Sequence, residues 1–335
     1  MVLGGKSWGY KMAEAIVLRE AGGPEVLRLE DVEVGTPGPD EVRLRQTAVG
    51  VNFHDCYVRS GLYQTLSLPG IPGLEAAGVI ETVGADVEEF CPGDRVAYFT
   101  NRYGGYASSR LIPAQDLVRV PNGVGDDIAA AVLVKGLTAH MLLHRVHAIE
   151  PEDAILVHAA AGGVGQILCQ WARHIGATVI GTVGSAAKAD LAKKAGCDEV
   201  ILYRDEDFVQ RVKKITGGRG VDVVYDSVGR DTFSGSLDCL ADLGHLVNFG
   251  QSSGPVEPFQ ISNLSQGSYS VTRPMLFHYT ADRDSLDAMA AALFTGLTDG
   301  VLKVAAPMAY PLADAAAAHR ALEGRETMGS VVLTA

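Results

Sequence analysis

Two periodicities divide the chain. Up to about residue 130, short apolar stretches alternate with polar positions and are broken by Gly and Pro turns, the pattern of β-strands. Glu41-Val42-Arg43-Leu44-Arg45 alternates at period two, residues 76–83 read as a small-residue strand before Gly84, and Cys91-Pro92-Gly93-Asp94 is a turn that leads into another strand. From Asp126 the rhythm changes. Residues 128–147 carry Ala and Leu at helical spacing, and strands then alternate with helices. Strands are expected at 154–158, 178–182, 198–201, 221–225 and 245–249, with helices at 163–175 and 186–195. Such alternation implies right-handed crossovers and a doubly wound parallel sheet. After Pro274 come helical stretches at 285–297 and 312–322 and a final strand at Val331.

Composition narrows the class. A chain of 335 residues with 47% hydrophobic and 20% charged residues buries a sizeable core, on a length typical of two domains. A net charge of −12 argues against a general affinity for nucleic acid or anionic membrane. The five cysteines are dispersed, with no CxxC pair, which suggests free thiols in a reducing compartment. No uninterrupted apolar run reaches the ~20 residues of a membrane helix, and the start lacks the apolar core of a signal peptide. Residues 1–11 read as a tail before a second methionine, Met12. The default expectation is a cytoplasmic soluble enzyme.

The sharpest chemical signal is Ala160-Ala161-Gly162-Gly163-Val164-Gly165, between a buried strand and a helix. In that context it is a dinucleotide fingerprint. Gly162 would admit the pyrophosphate, Gly165 would let the helix approach the sheet, and the helix N-terminus would supply amide donors. Ala160 stands where the fingerprint has its first glycine, tolerable if the turn needs no positive φ there. An NAD enzyme carries Asp or Glu about 20 residues further on. Here that stretch is Thr182-Val183-Gly184-Ser185, with no carboxylate before Asp190. Ser185 and Lys188 would instead meet a 2′-phosphate, so NADPH is the expected cofactor.

The segment His158-Ala159-Ala160-Ala161-Gly162-Gly163-Val164-Gly165 closely resembles the quinone oxidoreductase (zeta-crystallin) branch of the medium-chain dehydrogenase/reductase family. So do Val51-Asn52-Phe53-His54-Asp55-Cys56-Tyr57-Val58-Arg59-Ser60-Gly61-Leu62-Tyr63, Lys135-Gly136-Leu137-Thr138, Val224-Tyr225-Asp226-Ser227-Val228-Gly229 and Phe249-Gly250-Gln251-Ser252-Ser253-Gly254. The match runs from Met12 onward in the family's order. It implies a Rossmann NADPH-binding domain at 134–273, inserted in a discontinuous chaperonin-10-like (GroES-like) catalytic domain at 1–133 and 274–335.

The resemblance also aligns the ligand positions of zinc alcohol dehydrogenases with Asn52, Leu74 and Lys135. Neither Leu nor an ammonium group replaces a thiolate or imidazole, so no catalytic metal is expected. The same alignment puts Asn52, Tyr57 and Tyr63 beside nicotinamide and substrate, with Asn52 and Tyr57 as hydrogen-bond donors and His54 as a weaker proton source. Lys135, Thr138, Gly162, Gly163, Val164, Gly165, Gly184, Ser185, Lys188, Tyr203, Ser227, Phe249, Gly250, Ser252 and Arg325 are expected along the cofactor, with Asn248 and Arg204 as further candidates. Without a Lewis acid, the fitting substrates are quinones or, alternatively, α,β-unsaturated carbonyls. A cofactor-binding structural role, as in lens crystallins, is the reading from outside enzymology. Residues 268–272 read as an edge strand of the Rossmann sheet, and the resemblance implies that it pairs edge to edge in a homodimer; the alternative is a monomer whose C-terminal helices cap that edge.

Overall fold

The computed structural model describes residues 11–335. Lys11 opens the first strand, and the rest of the expected tail lies outside the described residues.

In chain order the leading part holds β1 (Lys11–Leu18), β2 (Leu27–Val34), β3 (Glu41–Val51), helix α1 (Phe53–Ser60), β4 (Glu75–Val83), β5 (Arg95–Phe99), β6 (Ser109–Pro113) and β7 (Leu117–Arg119). Helix α2 (Asp126–Met141) is followed by β8 (Ala154–Val157), α3 (Gly163–Ile175), β9 (Thr178–Val183), α4 (Ala186–Lys194) and β10 (Glu199–Leu202). Then come α5 (Phe208–Ile215), β11 (Val221–Asp226), α6 (Phe233–Asp238), β12 (Leu240–Asn248) and β13 (Ser270–Thr272). The chain closes with α7 (Leu276–Tyr279), α8 (Arg283–Thr298), β14 (Met308–Pro311), α9 (Ala315–Glu323) and β15 (Val331–Thr334).

The residues fall into two compact units, 1–131 with 307–325 and 331–335, and 132–306 with 326–330. In the first, a seven-stranded sheet runs β14-β15-β3-β4-β5-β7, with β6 also paired to β3, beside a β1–β2 ribbon. Ile16, Leu18, Leu44, Tyr98, Tyr106, Ile112 and Leu117 fill its core. Each such side chain contributes about 1.5–3 kcal/mol through burial.

The second unit is a six-stranded sheet in the order β10-β9-β8-β11-β12-β13, every neighbouring pair parallel. The order reverses beside β8, the place where doubly wound sheets bind nucleotides. Continuous apolar runs such as Ala-Ile-Leu-Val in β8 suit strands covered on both faces.

One expectation needs correction. The sequence boundary at 273/274 cuts too early, because 274–306 belong to the second unit. Gly136 in α2 explains the packing: a Cβ there would lie 2.3 Å from Leu293 Cδ1 of α8, so the missing side chain seats that helix. Among the described residues, Asp126–Val146 is long and apolar enough to cross a membrane by length and composition. Asp126, Asp127 and Lys135 interrupt its apolar run, and Ala129 to Leu133 and Leu137 are buried, the marks of a core helix. It widens at its end into an i→i+5 turn over Leu142–Val146, where the His147 amide donates to Leu142 O at 3.2 Å.

Candidate active site

In the second unit, β8 ends in a turn that carries the glycine motif. Ala159 takes the left-handed conformation (φ 53°), and the Gly162 amide donates to Ala159 O at 2.8 Å. Ala160 is buried with ordinary φ, so the first-glycine position needs no glycine here. Gly162 caps α3 without a side chain, leaving the first-turn amides to an anionic ligand. A Cβ on Gly165 would lie 2.4 Å from Ala159 O and 2.9 Å from Ala160 Cα, so only glycine lets the helix start against the turn. Lys135, buried on α2, lies across Gly163, whose Cβ would meet Lys135 Cδ at 2.7 Å. Residues 326–330 return to this unit, and Gly329 bridges Gly162. An uncapped helix start with glycine at each close approach fits a dinucleotide pyrophosphate.

The end of β9 forms a second part. Val183 is buried where an NAD enzyme has its acid. Ser185 caps α4 and accepts the Lys188 amide at 3.4 Å. A Cβ on Gly184 would stand 2.8 Å from the Tyr203 hydroxyl, so Gly184 keeps space for that ring. Gly184, Ser185, Lys188 and Tyr203 are thus gathered at the carboxyl ends of β9 and β10, with Arg204 following, exposed.

A third part joins the ends of β11 and β12. Asp226 is fully buried, and its Oδ1 accepts the amides of Val228 (2.7 Å) and Gly229 (3.1 Å) and the Thr232 hydroxyl (2.9 Å). The Phe249 amide donates to Asp226 O at 2.8 Å, and the Ser252 amide to Ser227 O at 3.2 Å. Gly250 lies so close to Ser227 that a Cβ would be 2.5 Å from its carbonyl oxygen. Arg273 clamps the loop through Asn248 Oδ1 (2.5 Å) and Gly250 O (2.7 Å). Ser227, Asn248, Phe249, Gly250 and Ser252 therefore stand together. Neither Asp226 nor Arg273 declares this organising role in the sequence, although Asp226-Ser227-Val228-Gly229 carries the signature of an Asx turn. Thr138 bonds back into its own helix, to Val134 O at 2.7 Å.

The first unit carries the remaining candidates. Asn52 begins α1: its amide donates to Asp55 Oδ2 at 2.8 Å, and its side-chain Nδ2 to buried Glu75 Oε1 at 2.8 Å. Gly50 makes room, since a Cβ there would lie 2.3 Å from Glu75 Oε1. The side chain of Asn52 is thereby oriented, with its second N–H still available as a donor. One turn on, Tyr57 and Tyr63 meet edge-on with centroids 5.1 Å apart, and the Tyr63 amide donates to Tyr57 O at 3.0 Å. His54 packs edge-on against Tyr63 at 5.3 Å, and its Nε2 is 3.0 Å from the Tyr103 hydroxyl. Burial lowers the His54 pKa to about 4, so the ring is neutral near pH 7. Leu74 is buried in the core side of β4's approach. Arg325 follows α9 at φ 57°, its amide donating to Leu322 O at 3.2 Å.

Beneath α1 runs a network invisible to local sequence. Arg59 Nη1 donates to His319 Nδ1 (3.3 Å), which leaves Nε2–H to donate to Tyr106 Oη (2.9 Å), and Tyr106 donates to Asp55 Oδ2 (3.2 Å). Arg59 also holds Glu323 through both carboxylate oxygens, at 2.9 and 2.7 Å. Burial first, then Arg59, lowers the His319 pKa to about 3.

A Rossmann unit with an uncapped glycine turn, in one chain with a β-rich unit bearing oriented polar and aromatic groups, defines a dinucleotide-dependent oxidoreductase. The chain belongs to the quinone oxidoreductase branch of the medium-chain dehydrogenase/reductase family. Residues 38–122 match the model of the alcohol dehydrogenase GroES-like domain, and 163–293 that of the zinc-binding dehydrogenases. The chain is 47% identical to quinone oxidoreductase 1 of Escherichia coli over 96% of this chain and 99% of that protein. It is 46% identical to the 2-haloacrylate reductase of a Burkholderia species, again over 96% and 99%. Among solved structures, the Escherichia coli quinone oxidoreductase complexed with NADPH matches with a TM-score of 0.94 at 46% identity, covering 96% of this chain and all (100%) of that one.

Proposed function

We propose that the chain is an NADPH-dependent quinone oxidoreductase that works without zinc. The observation that carries the cofactor assignment is the end of β9, where buried Val183 replaces the acid and Ser185, Lys188 and Tyr203 surround Gly184. When bound, NADPH supplies the reducing equivalents. The first-turn amides of α3 and Lys135 hold its pyrophosphate, Ser185 and Lys188 the 2′-phosphate, and Tyr203 the adenine. Thr138, Ser227, Phe249, Gly250 and Ser252 line the rest of the dinucleotide, with Arg325 toward the phosphates. Asn52, fixed by Glu75, and Tyr57 donate to the substrate oxygen as negative charge develops there. Tyr63 excludes water. Asn52, Leu74 and Lys135 offer no ligand set for zinc, and charge stabilisation falls to hydrogen bonds.

The similarity to a 2-haloacrylate reductase favours a second reading, reduction of an activated alkene on the same framework. Steady-state NADPH oxidation against a panel of quinones and α,β-unsaturated carbonyls tests both. A higher kcat/KM for quinones is expected, and no turnover of either class would refute the assignment. The same reading places the protein in the cytoplasm as a homodimer, paired through the short edge strand β13, with no nucleic-acid or membrane partner.

A further inference from the structure

Two histidines of the second unit face each other outside every site described above. His147, where the i→i+5 turn ends, and His245 on β12 approach Nδ1 to Nδ1 at 3.2 Å, with ring centroids 5.4 Å apart. Both side chains are half-buried, so small ions reach them. His245 is oriented from behind: its Nε2 is 2.8 Å from the Thr272 hydroxyl on β13. The Tyr225 hydroxyl donates to the backbone oxygens of Leu142 (3.3 Å) and His147 (3.4 Å), which anchors the segment that presents His147.

We propose that His147 and His245 form a binding site for one divalent transition-metal ion of the zinc–copper type, coordinated through both Nδ1 atoms. Metal–nitrogen bonds of about 2.0–2.1 Å place two ligand nitrogens roughly 2.9 Å apart at a right angle and roughly 3.3 Å apart at a tetrahedral angle. The observed 3.2 Å lies between these limits. Coordination makes both rings Nε2–H tautomers, and His245 then donates to Thr272, the outer-shell partner that metal-binding imidazoles require. No net proton is displaced, since burial keeps both rings neutral, His245 with a pKa lowered to about 4. Asp153 and Asp222 lie near enough to His147 to act on it electrostatically and favour a cation. Among the described residues no group of three or more His, Cys, Asp or Glu side chains shares a metal position, so water completes the shell. Imidazole pairs select Cu2+, Zn2+ and Ni2+ over Mg2+ and Ca2+.

The test is titration of the whole protein with ZnCl2 and, separately, CuSO4, followed by calorimetry and, for copper, electron paramagnetic resonance. One ion per chain with two-nitrogen hyperfine structure is expected. His147→Asn and His245→Asn should each weaken binding at least tenfold, and Thr272→Val severalfold. His140 and His144, whose rings lie 4.6 Å apart at i,i+4 spacing, are the competing pair. Loss of binding in the His140→Asn/His144→Asn double variant, or unchanged affinity in His147→Asn, would overturn the proposal. Anomalous diffraction from a zinc-soaked crystal of the unmodified protein decides independently of variant folding. Density between the two Nδ1 atoms supports the site, and none there means an ordinary imidazole hydrogen bond only.

Discussion

Replacing Gly165 by alanine is the most demanding test of the cofactor turn. The new Cβ would sit 2.4 Å from Ala159 O, whereas real Cβ atoms essentially never come within 3.0 Å of a heavy atom, a shortfall of about 0.6 Å. Ala160 C and Cα, each at 2.9 Å, block the adjacent direction, and all three obstacles are backbone. Relief therefore means lifting α3 off the turn, an overpacking cost of about 1–3 kcal/mol. For a unit of this size that corresponds to roughly 2–4 °C in melting temperature per kcal/mol. The same lift misdirects the first-turn amides, so NADPH should bind at least tenfold more weakly. Gly162→Ala is the control: its Cβ would be 3.1 Å from Ala159 O, at an ordinary backbone φ of −76°. It should fold almost normally while its methyl group faces the pyrophosphate. Thermal unfolding and quenching of protein fluorescence by NADPH measure the two effects. A Gly165→Ala protein with unchanged melting temperature and unchanged NADPH affinity would refute the close-approach argument.

Lys188→Ala should weaken NADPH binding by about 1–2 kcal/mol and leave NADH nearly unchanged, as titrations with both nucleotides would reveal. Activity should survive exhaustive chelation; stoichiometric zinc whose removal abolishes turnover and whose return restores it would contradict the metal-free reading. Light scattering should give twice the 35.3 kDa chain mass, and Val271→Asp in β13 should halve it by placing a charge in the pairing edge. Because the His319 pKa is lowered to about 3, the unfolded chain binds a proton there at pH values where the native protein does not. Stability from this residue is complete above the unfolded value of about 6.5 and is lost as pH falls toward 3, with a slope of at most about 1.4 kcal/mol per pH unit. Urea melts of His319→Gln should show a flatter dependence across that window.

The parallel sheet was legible because its strands are short apolar runs spaced by helices, and the glycine turn because strand, turn and helix succeed one another. Strand β12 was read from His245, yet it begins at Leu240. Asp242 and Gly244 mimic a turn, and the irregular pairing between Val221 and Val223 of β11 absorbs them. Strand β14 is masked in the sequence because Pro311 ends it and its partner β15 follows a helix. At the site, motifs exposed residues that act through local geometry, such as Gly165, Ser185 and Asn52. They could not reveal His319, whose partners Tyr106 and Arg59 lie more than 200 positions away. Nor could they give the boundary at residue 306, which depends on Leu293 settling over Gly136.

The position of β15 has a consequence for biosynthesis. This strand lies inside its sheet, between β14 and β3, so the earliest-made unit keeps an open hydrogen-bonding edge on β3 until residues 331–334 arrive. At bacterial or eukaryotic elongation rates of about 5–20 residues per second, the wait after residue 131 is roughly 10–40 s. Nearly all of the nucleotide-binding unit emerges during that interval. The protein thus matures from the middle outward, and the nascent leading sheet is the stage at which chaperone occupancy and aggregation compete for an unpaired edge.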